Sequence, residues 1–264
     1  MPELQDSVLG TPPEHRVMHA VARTGSRLIG DRFLASYITD CLQMTIGLGP
    51  LHKLLLADHG QKRGAAPETI TRLVTQAEDN MRWASEMQAE DYHRINVLAL
   101  LSLWAAFESG TENIIATALG TVHFAATSSA RKFPRGKYEL AGWPWTDDKC
   151  LEIAQKLDQK AKSETPDGGW DVAARLATLF GWVGANIIIP PETSKKLNEA
   201  SLVRNVLLHR YGRLGARDID RAPHLVVNEN NAVQITRERL GEYSQAVNET
   251  HIAVMQGVIA AGWK

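Results

Sequence analysis

The sequence predicts an all-α protein, a helical bundle with a minor C-terminal β-hairpin and an N-terminal helical extension. Three observations lead there. Apolar residues recur at three- and four-residue spacings through most of the chain, the signature of amphipathic helix. One stretch, Ile95 to Glu108, is apolar on nearly every side, as a helix buried at the centre of a bundle is. Strand-like alternation is confined to one short pair of segments near the C-terminus.

The composition sets outer limits. The 264 residues are 44% apolar and 22% charged, enough to bury a substantial core and too apolar for a disordered chain. A net charge of -1 gives no global attraction to nucleic acid, so any such binding must come from a local basic patch. The two cysteines, Cys41 and Cys150, lie too far apart for a metal motif and read as free thiols in a reducing cytoplasm. The N-terminus carries no secretory pattern, and no apolar run reaches the roughly 18 residues of a membrane span, so a soluble, cytoplasmic protein is expected, with no membrane partner.

Residues 1–13 read as an irregular lead-in ending at Pro12-Pro13. From about Arg27 to His59 a helical pattern runs through Phe33, Leu34, Tyr37, Leu51 and Leu54, and Gly47-Leu48-Gly49-Pro50 is expected to break it in two. Pro67 opens the next helix at a favoured first-turn position, with Glu68 beside it to suit the dipole. The central helix that begins near Ile95 is expected to continue past Glu108 through Glu112, Ile115 and Leu119. Residues 128–145 form a loop with Trp143-Pro144-Trp145 packed down on the core, and Asp147 is the expected N-cap of a helix to about Lys162. Pro166 to Gly169 is a turn, Asp171 begins a helix to about Trp182, and Thr193 or Ser194 caps the helix that follows Pro190-Pro191. Asp218 to Ala222 forms a short turn of helix. Residues 225–227 and 233–236 make the hairpin around an asparagine-rich turn, and a last helix runs from about Arg237 to Ile259.

The densest reactive chemistry lies at Ser201-Leu202-Val203-Arg204-Asn205-Val206-Leu207-Leu208-His209-Arg210-Tyr211-Gly212, the last turns of one helix closed by a glycine. At about 100° per residue, Val203, Val206 and Leu207 share an inward face, while Arg204, Asn205, Leu208 and His209 spread over the outer half. Asn205 and His209 stand one above the other. Histidine can take a proton from a ribose 2′-hydroxyl or return one to a leaving oxygen, and arginine's planar fork suits charge developing on phosphate. Leu208 is an apolar residue on the polar half; a single exposed leucine is common, and this one also fits a face covered by a second subunit. The blander reading is that Arg and His near a helix C-terminus are favoured there simply as cations at the negative end of the dipole.

Arg204-Asn205-Val206-Leu207-Leu208-His209 resembles the Arg-x4-6-His motif of the HEPN (higher eukaryotes and prokaryotes nucleotide-binding) superfamily, in its Arg-Asn-x-x-x-His form. The flanks are similar to its ribonuclease-like branch: Arg210-Tyr211-Gly212, then Asp218 to Pro223, a hairpin and an amphipathic last helix, with Leu103 to Glu108 resembling the early core helix that ends in glutamate. The similarity covers residues 90–264 as a HEPN-like domain, leaving residues 1–89 as a helical extension. It implies a dimer whose two motif helices face each other across a cleft. There RNA is cleaved without metal or other cofactor, by 2′-hydroxyl attack, with Arg204, Asn205 and His209 as the catalytic positions. Family roles imply a toxin or abortive-infection endoribonuclease with an antitoxin or other defence-system partner protein. The alternative is a noncatalytic module that binds nucleotide or RNA, or mediates assembly.

Supporting candidates surround the motif. Glu108 could contact it, or satisfy a local salt bridge. Lys195, Lys196, Arg210, Arg213, Arg217 and Arg221 bracket it and could hold an RNA backbone, or form a solvated polar loop. Tyr211 could stack on a base or pack beside Gly212. Metal binding is not expected: His15 and His19 are four apart without a third ligand, and His52, His59 and His123 are isolated. Gly25 to Gly30 has the outer spacing of a phosphate loop, but Asp31 stands where lysine should be.

Overall fold

The computed structural model describes residues 15–134, 137–165, 170–223, 225, 227–228 and 230–263. The lead-in at Pro12-Pro13 and the turn at 166–169 lie outside them. The fold is all-α, with nine α-helices among the described residues: α1 (Arg16–Lys62), α2 (Pro67–Ala89), α3 (His93–Thr121), α4 (His123–Ala130), α5 (Asp147–Glu164), α6 (Val172–Val183), α7 (Pro191–Arg210), α8 (Ala216–Arg221) and α9 (Arg237–Ala260). No helix is long and apolar enough to cross a membrane among the described residues.

α3 is the axis of the bundle. Leu100, Leu103, Trp104, Phe107, Ile114, Ile115 and Leu119 are all buried along it, and α1, α5 and α9 pack around it. The helix extends past Glu108 as its continuing apolar period predicts. At its start, Asn96 is buried and donates from Nδ2 to the carbonyls of Asp91 and Ile235, at 2.8 and 2.9 Å. The His93 Nδ1 accepts the Ile235 amide at 2.9 Å, so the chain entering α9 is tied to the base of α3. Burial pushes the His93 imidazole below its ordinary pKa of 6.5, and the same cause acts on His251 in α9.

α1 is one unbroken helix of 47 residues, with Pro50 inside it. The expected break at Gly47 to Pro50 does not occur, and packing explains why. Gly49 lies directly against α2: a Cβ there would come within 2.4 Å of the Met81 side chain. The glycine is a close-approach point between two helices rather than a stop, and the Lys53–Glu78 ion pair ties the same turns together. Bracing by α2 offsets the hydrogen bond that proline removes. Gly110 plays the matching part between α3 and α1, where a Cβ would meet Thr24 at 2.2 Å. The N-terminal half of α1 places Val17, Val21 and Leu28 in the same core as α3.

Two caps differ from expectation by a residue or more. Thr146, not Asp147, caps α5 by accepting the Lys149 amide, and Asp147 becomes an acidic first-turn residue. α7 starts at Pro191, with Pro190 before it, so Thr193 and Ser194 lie inside the helix. The Thr193 hydroxyl donates instead to Glu249 of α9 at 2.5 Å. Asp171 does cap α6, through the Ala174 amide. Trp145 is buried and Trp143 donates from Nε1 to the Leu119 carbonyl at 2.9 Å, which seats the loop on the core. Of the hairpin expected across 225–236, Val226 and Glu229 fall outside the described residues. The described ones form an isolated antiparallel bridge, Val227 with Val233, and a second joins Arg213 to Ala232.

Candidate functional site

α7 carries the Arg204 to His209 motif on its last two turns and is fixed at three levels. Two turns in, Asn198 accepts the Val172 amide at 2.8 Å, joining it to the head of α6. The next residue, Glu199, is 4% exposed and accepts from Arg239 Nη1 at 2.8 Å and from the Tyr243 hydroxyl at 2.7 Å, both on α9. Burial beside this carboxylate pushes the Tyr243 phenol well above its ordinary range. Leu202, Val203 and Val206 are buried and Leu207 packs against the core, as the helical period predicts.

The helix ends where Tyr211 adopts left-handed geometry at φ 53° and Gly212 continues it at φ 81°. The Gly212 amide donates back to the Val206 carbonyl at 3.0 Å, closing the end of the helix. Asp218, at 8% exposed, steadies the next loop: its Oδ2 accepts the Gly215 amide at 2.9 Å and the Arg210 guanidinium at 2.6 Å. The loop then docks on residues 231–233, with the Leu214 amide donating to the Asn231 carbonyl and Val233 to Gly212.

On this frame Arg204 bends back towards α3. It donates from Nη2 to Glu108 Oε2 and from Nη1 to Asn205 Oδ1, each at 2.9 Å. Glu108 therefore does contact the motif. Asn205 is engaged with Arg204, whereas the sequence spacing paired it with His209. Asn205, Leu208 and His209 are exposed together at the helix end, Leu208 by 51%. Beside Glu108 lies a cavity of about 150 Å3 lined by Thr111, Glu112, Asp158 and Arg175. Arg175 Nε stands 3.6 Å from Asp158 Oδ1. Burial raises the Asp158 carboxyl above its ordinary pKa; Arg175 opposes that shift and Glu108 adds to it. Glu108 thus belongs to two charged groups at once, one facing the motif and one facing α5 and α6.

The basic residues around the motif differ in their partners. Lys196 pairs with Glu242 at 2.8 Å, Arg210 with Asp218, and Lys195 more loosely with Glu192 at 3.4 Å. The Arg221 guanidinium stacks over Trp170, 4.5 Å from the ring centroid. Arg213 and Arg217 are exposed. Tyr211 does not pack beside Gly212: it is 96% exposed. Among the described residues, no three His, Cys, Asp or Glu side chains gather as a metal site would require.

No family model, curated protein or solved structure matches this chain. The chemistry of the site must be judged on its own residues. Sequence reasoning missed the Glu199, Arg239 and Tyr243 group and the Asp158–Arg175 pair. A signal was present in Glu199, a charged residue on the face that Leu202, Val203 and Val206 mark as inward, since a carboxylate there requires a buried partner.

Proposed function

We propose that this protein is a HEPN-type endoribonuclease that cleaves RNA without metal at a composite site formed by two copies of α7. The observation that carries this reading is the grouping at the end of α7: Arg204 is anchored by Glu108 and joined to Asn205, with His209 exposed on the same terminal turns. A substrate phosphodiester would meet an always-charged guanidinium and an imidazole whose ring nitrogens can accept or donate a proton. His209 removes the 2′-hydroxyl proton, the 2′-oxygen bonds to phosphorus, and the bond from phosphorus to the 5′-oxygen breaks. His209 of the second copy gives the leaving oxygen its proton, and the product end is a 2′,3′-cyclic phosphate. Arg204 stabilises the charge on the nonbridging oxygens. Leu208, apolar and half exposed in the middle of this face, is the expected contact with the second copy.

The accompanying fold reading is a HEPN-like bundle over residues 90–264 with a C-terminal hairpin, residues 1–89 being an extension. A toxin or abortive-infection role in the cytoplasm, with an antitoxin or defence partner, goes with it. One observation favours a second reading, a noncatalytic HEPN module that binds RNA or nucleotide or mediates assembly. Both ends of the Arg204 guanidinium already have acceptors, in Glu108 and Asn205.

The deciding experiment is cleavage of RNA by purified wild type in EDTA, with the product ends analysed. Cyclic phosphate ends that disappear in Arg204→Ala and His209→Ala, both still folded, are expected. Equal cleavage by those variants overturns the ribonuclease reading. No cleavage by wild type, with RNA binding lost in the variants, supports the noncatalytic one. In cells, wild type but not His209→Ala is expected to stop growth.

A further inference from the structure

α1 is apolar on two sides. One side carries a seven-residue repeat that the bundle consumes: Leu28, Ala35, Leu42 and Gly49 are buried against α3 and α2. The other side carries a second, unbroken repeat of three and four residues: Leu34, Tyr37, Cys41, Met44, Leu48, Leu51 and Leu55. Such a 3.5-residue period is what a two-stranded coiled coil presents to its partner. Among the described residues, none covers it. Of the twenty large apolar side chains exposed among the described residues, ten lie on α1 between Ile29 and Leu55, with Phe33 at 71% and Tyr37 at 68%. Together they expose on the order of 1,000 Å2 of apolar surface. The largest patch on a monomer is roughly 300–600 Å2, and a stable interface removes about 800 Å2 from each partner. Between the C-terminal part of this seam and α2 runs an apolar groove of about 480 Å3, flanked by Met44, Leu48, Leu51 and Leu55.

We propose that this seam is a homodimer interface in which α1 of one copy packs antiparallel against α1 of a second copy. Charge selects the occupant and its direction. Setting Leu34 against the second copy's Leu51 puts Tyr37 against Leu48 and Cys41 against Met44, with Phe33 beside Leu54. The same register brings Arg27 to Asp58 and Asp31 to His52 at both ends. Asp58, already paired with Lys62 at 2.6 Å, is exposed enough to take a second cation. Parallel pairing instead stacks Arg27 on Arg27 and Asp58 on Asp58 across the seam, a repulsion that the antiparallel register removes. The inference does not rest on the ribonuclease reading, because the seam is on α1 and the proposed catalytic pairing uses α7. If both contacts form, each is two-fold symmetric and the assembly is even-numbered.

Light scattering on the full chain at micromolar concentration tests it, with circular dichroism to verify the helices. Wild type is expected to be at least a dimer. Leu48→Glu with Leu51→Glu should lower its mass at least twofold while remaining helical, since both positions face solvent in the single chain. Leu208→Glu should leave the seam dimer in place. A monomeric wild type, or a seam variant of unchanged mass, overturns the proposal and leaves the seam to a different partner. Cross-linking checks the direction in a Cys41→Ser background, where the remaining Cys150 is buried. Leu34→Cys mixed with Leu51→Cys should form a disulfide-linked dimer, and Leu34→Cys alone should not. Cross-linking of Leu34→Cys alone overturns the antiparallel arrangement.

Discussion

Glu199 and Arg204 sit on the same helix and are held in opposite ways. Glu199 is buried, reaches inward to α9, and has an arginine and a tyrosine as partners. Arg204 is partly exposed, reaches sideways to Glu108 of α3, and shares its other end with the neighbouring Asn205. A buried charge with partners on another helix fixes where α7 lies, because moving the helix would strand that charge away from water. A part-exposed pair orients the Arg204 side chain but fixes the helix less, because water can reach either partner. Two stretches of α7 therefore divide the work: its middle turns, the inner end of this comparison, set position, and its last turns, the outer end, remain available to a ligand.

The largest effect is expected at the inner end. Glu199→Gln should destabilise the fold by about 3 kcal/mol, lowering Tm by on the order of 10 °C, as Arg239 loses its charged contact with Glu199 and keeps the longer one to Glu242 at 3.4 Å. Denaturant melts measure it directly. At the outer end, the proposed ribonuclease reading expects Arg204→Ala to lower RNA cleavage by about 100- to 1,000-fold while changing stability by less than about 1 kcal/mol, read from initial rates and melts of the same preparation. An Arg204 variant as unstable as Glu199→Gln would erase the distinction. Tyr243→Phe removes a buried donor to Glu199 and should cost about 2 kcal/mol, an intermediate case.

Acid provides a comparison that neither end should alter. His93 and His251 have folded pKa values held below 6.5, so the unfolded chain takes up protons first as pH falls. Their contribution to stability is complete above pH 6.5, declines as pH drops through it, and levels off below the folded values. Arg204→Ala should show the same decline as wild type in melts between pH 7.5 and about 5. The smallest effect is expected of Glu108→Gln. Losing a partly exposed ion pair changes stability by at most about 1 kcal/mol. On the proposed reading an RNA phosphate would no longer have to displace the carboxylate, so short RNA should bind up to about fivefold more tightly. Weaker binding by this variant would make Glu108 a positioning residue for Arg204 rather than its competitor.

Local periodicity made most of the helices legible, because one buried face per helix leaves a regular trace: α3, α6 and α9 lie close to where the apolar spacing puts them. The break expected at Pro50 failed because proline reports a missing hydrogen bond but not the packing that compensates for it. That compensation lies in α2, at Met81 and Glu78. The motif residues were legible by type and spacing. Their partners were not, except Glu108, since the bend of Arg204 towards α3 and the reach of Arg239 to Glu199 depend on how distant helices come together. The seam on α1 was visible as amphipathic spacing. Only the structure separated the face that is consumed from the face that is left over.

Tyr211 combines two properties that seldom coincide. Its ring is almost entirely in water, yet its backbone is pinned at the closed end of α7, with the Gly212 amide returned to Val206. A flat partner settling on that ring would find the main chain already ordered and would have only two side-chain torsions to still, an entropic charge of roughly 0.5–1.5 kcal/mol. A tyrosine on a loose loop would have to surrender its backbone freedom as well. The left-handed turn thus does for the aromatic ring what a rigid handle does for a tool: it commits the direction of approach before contact is made.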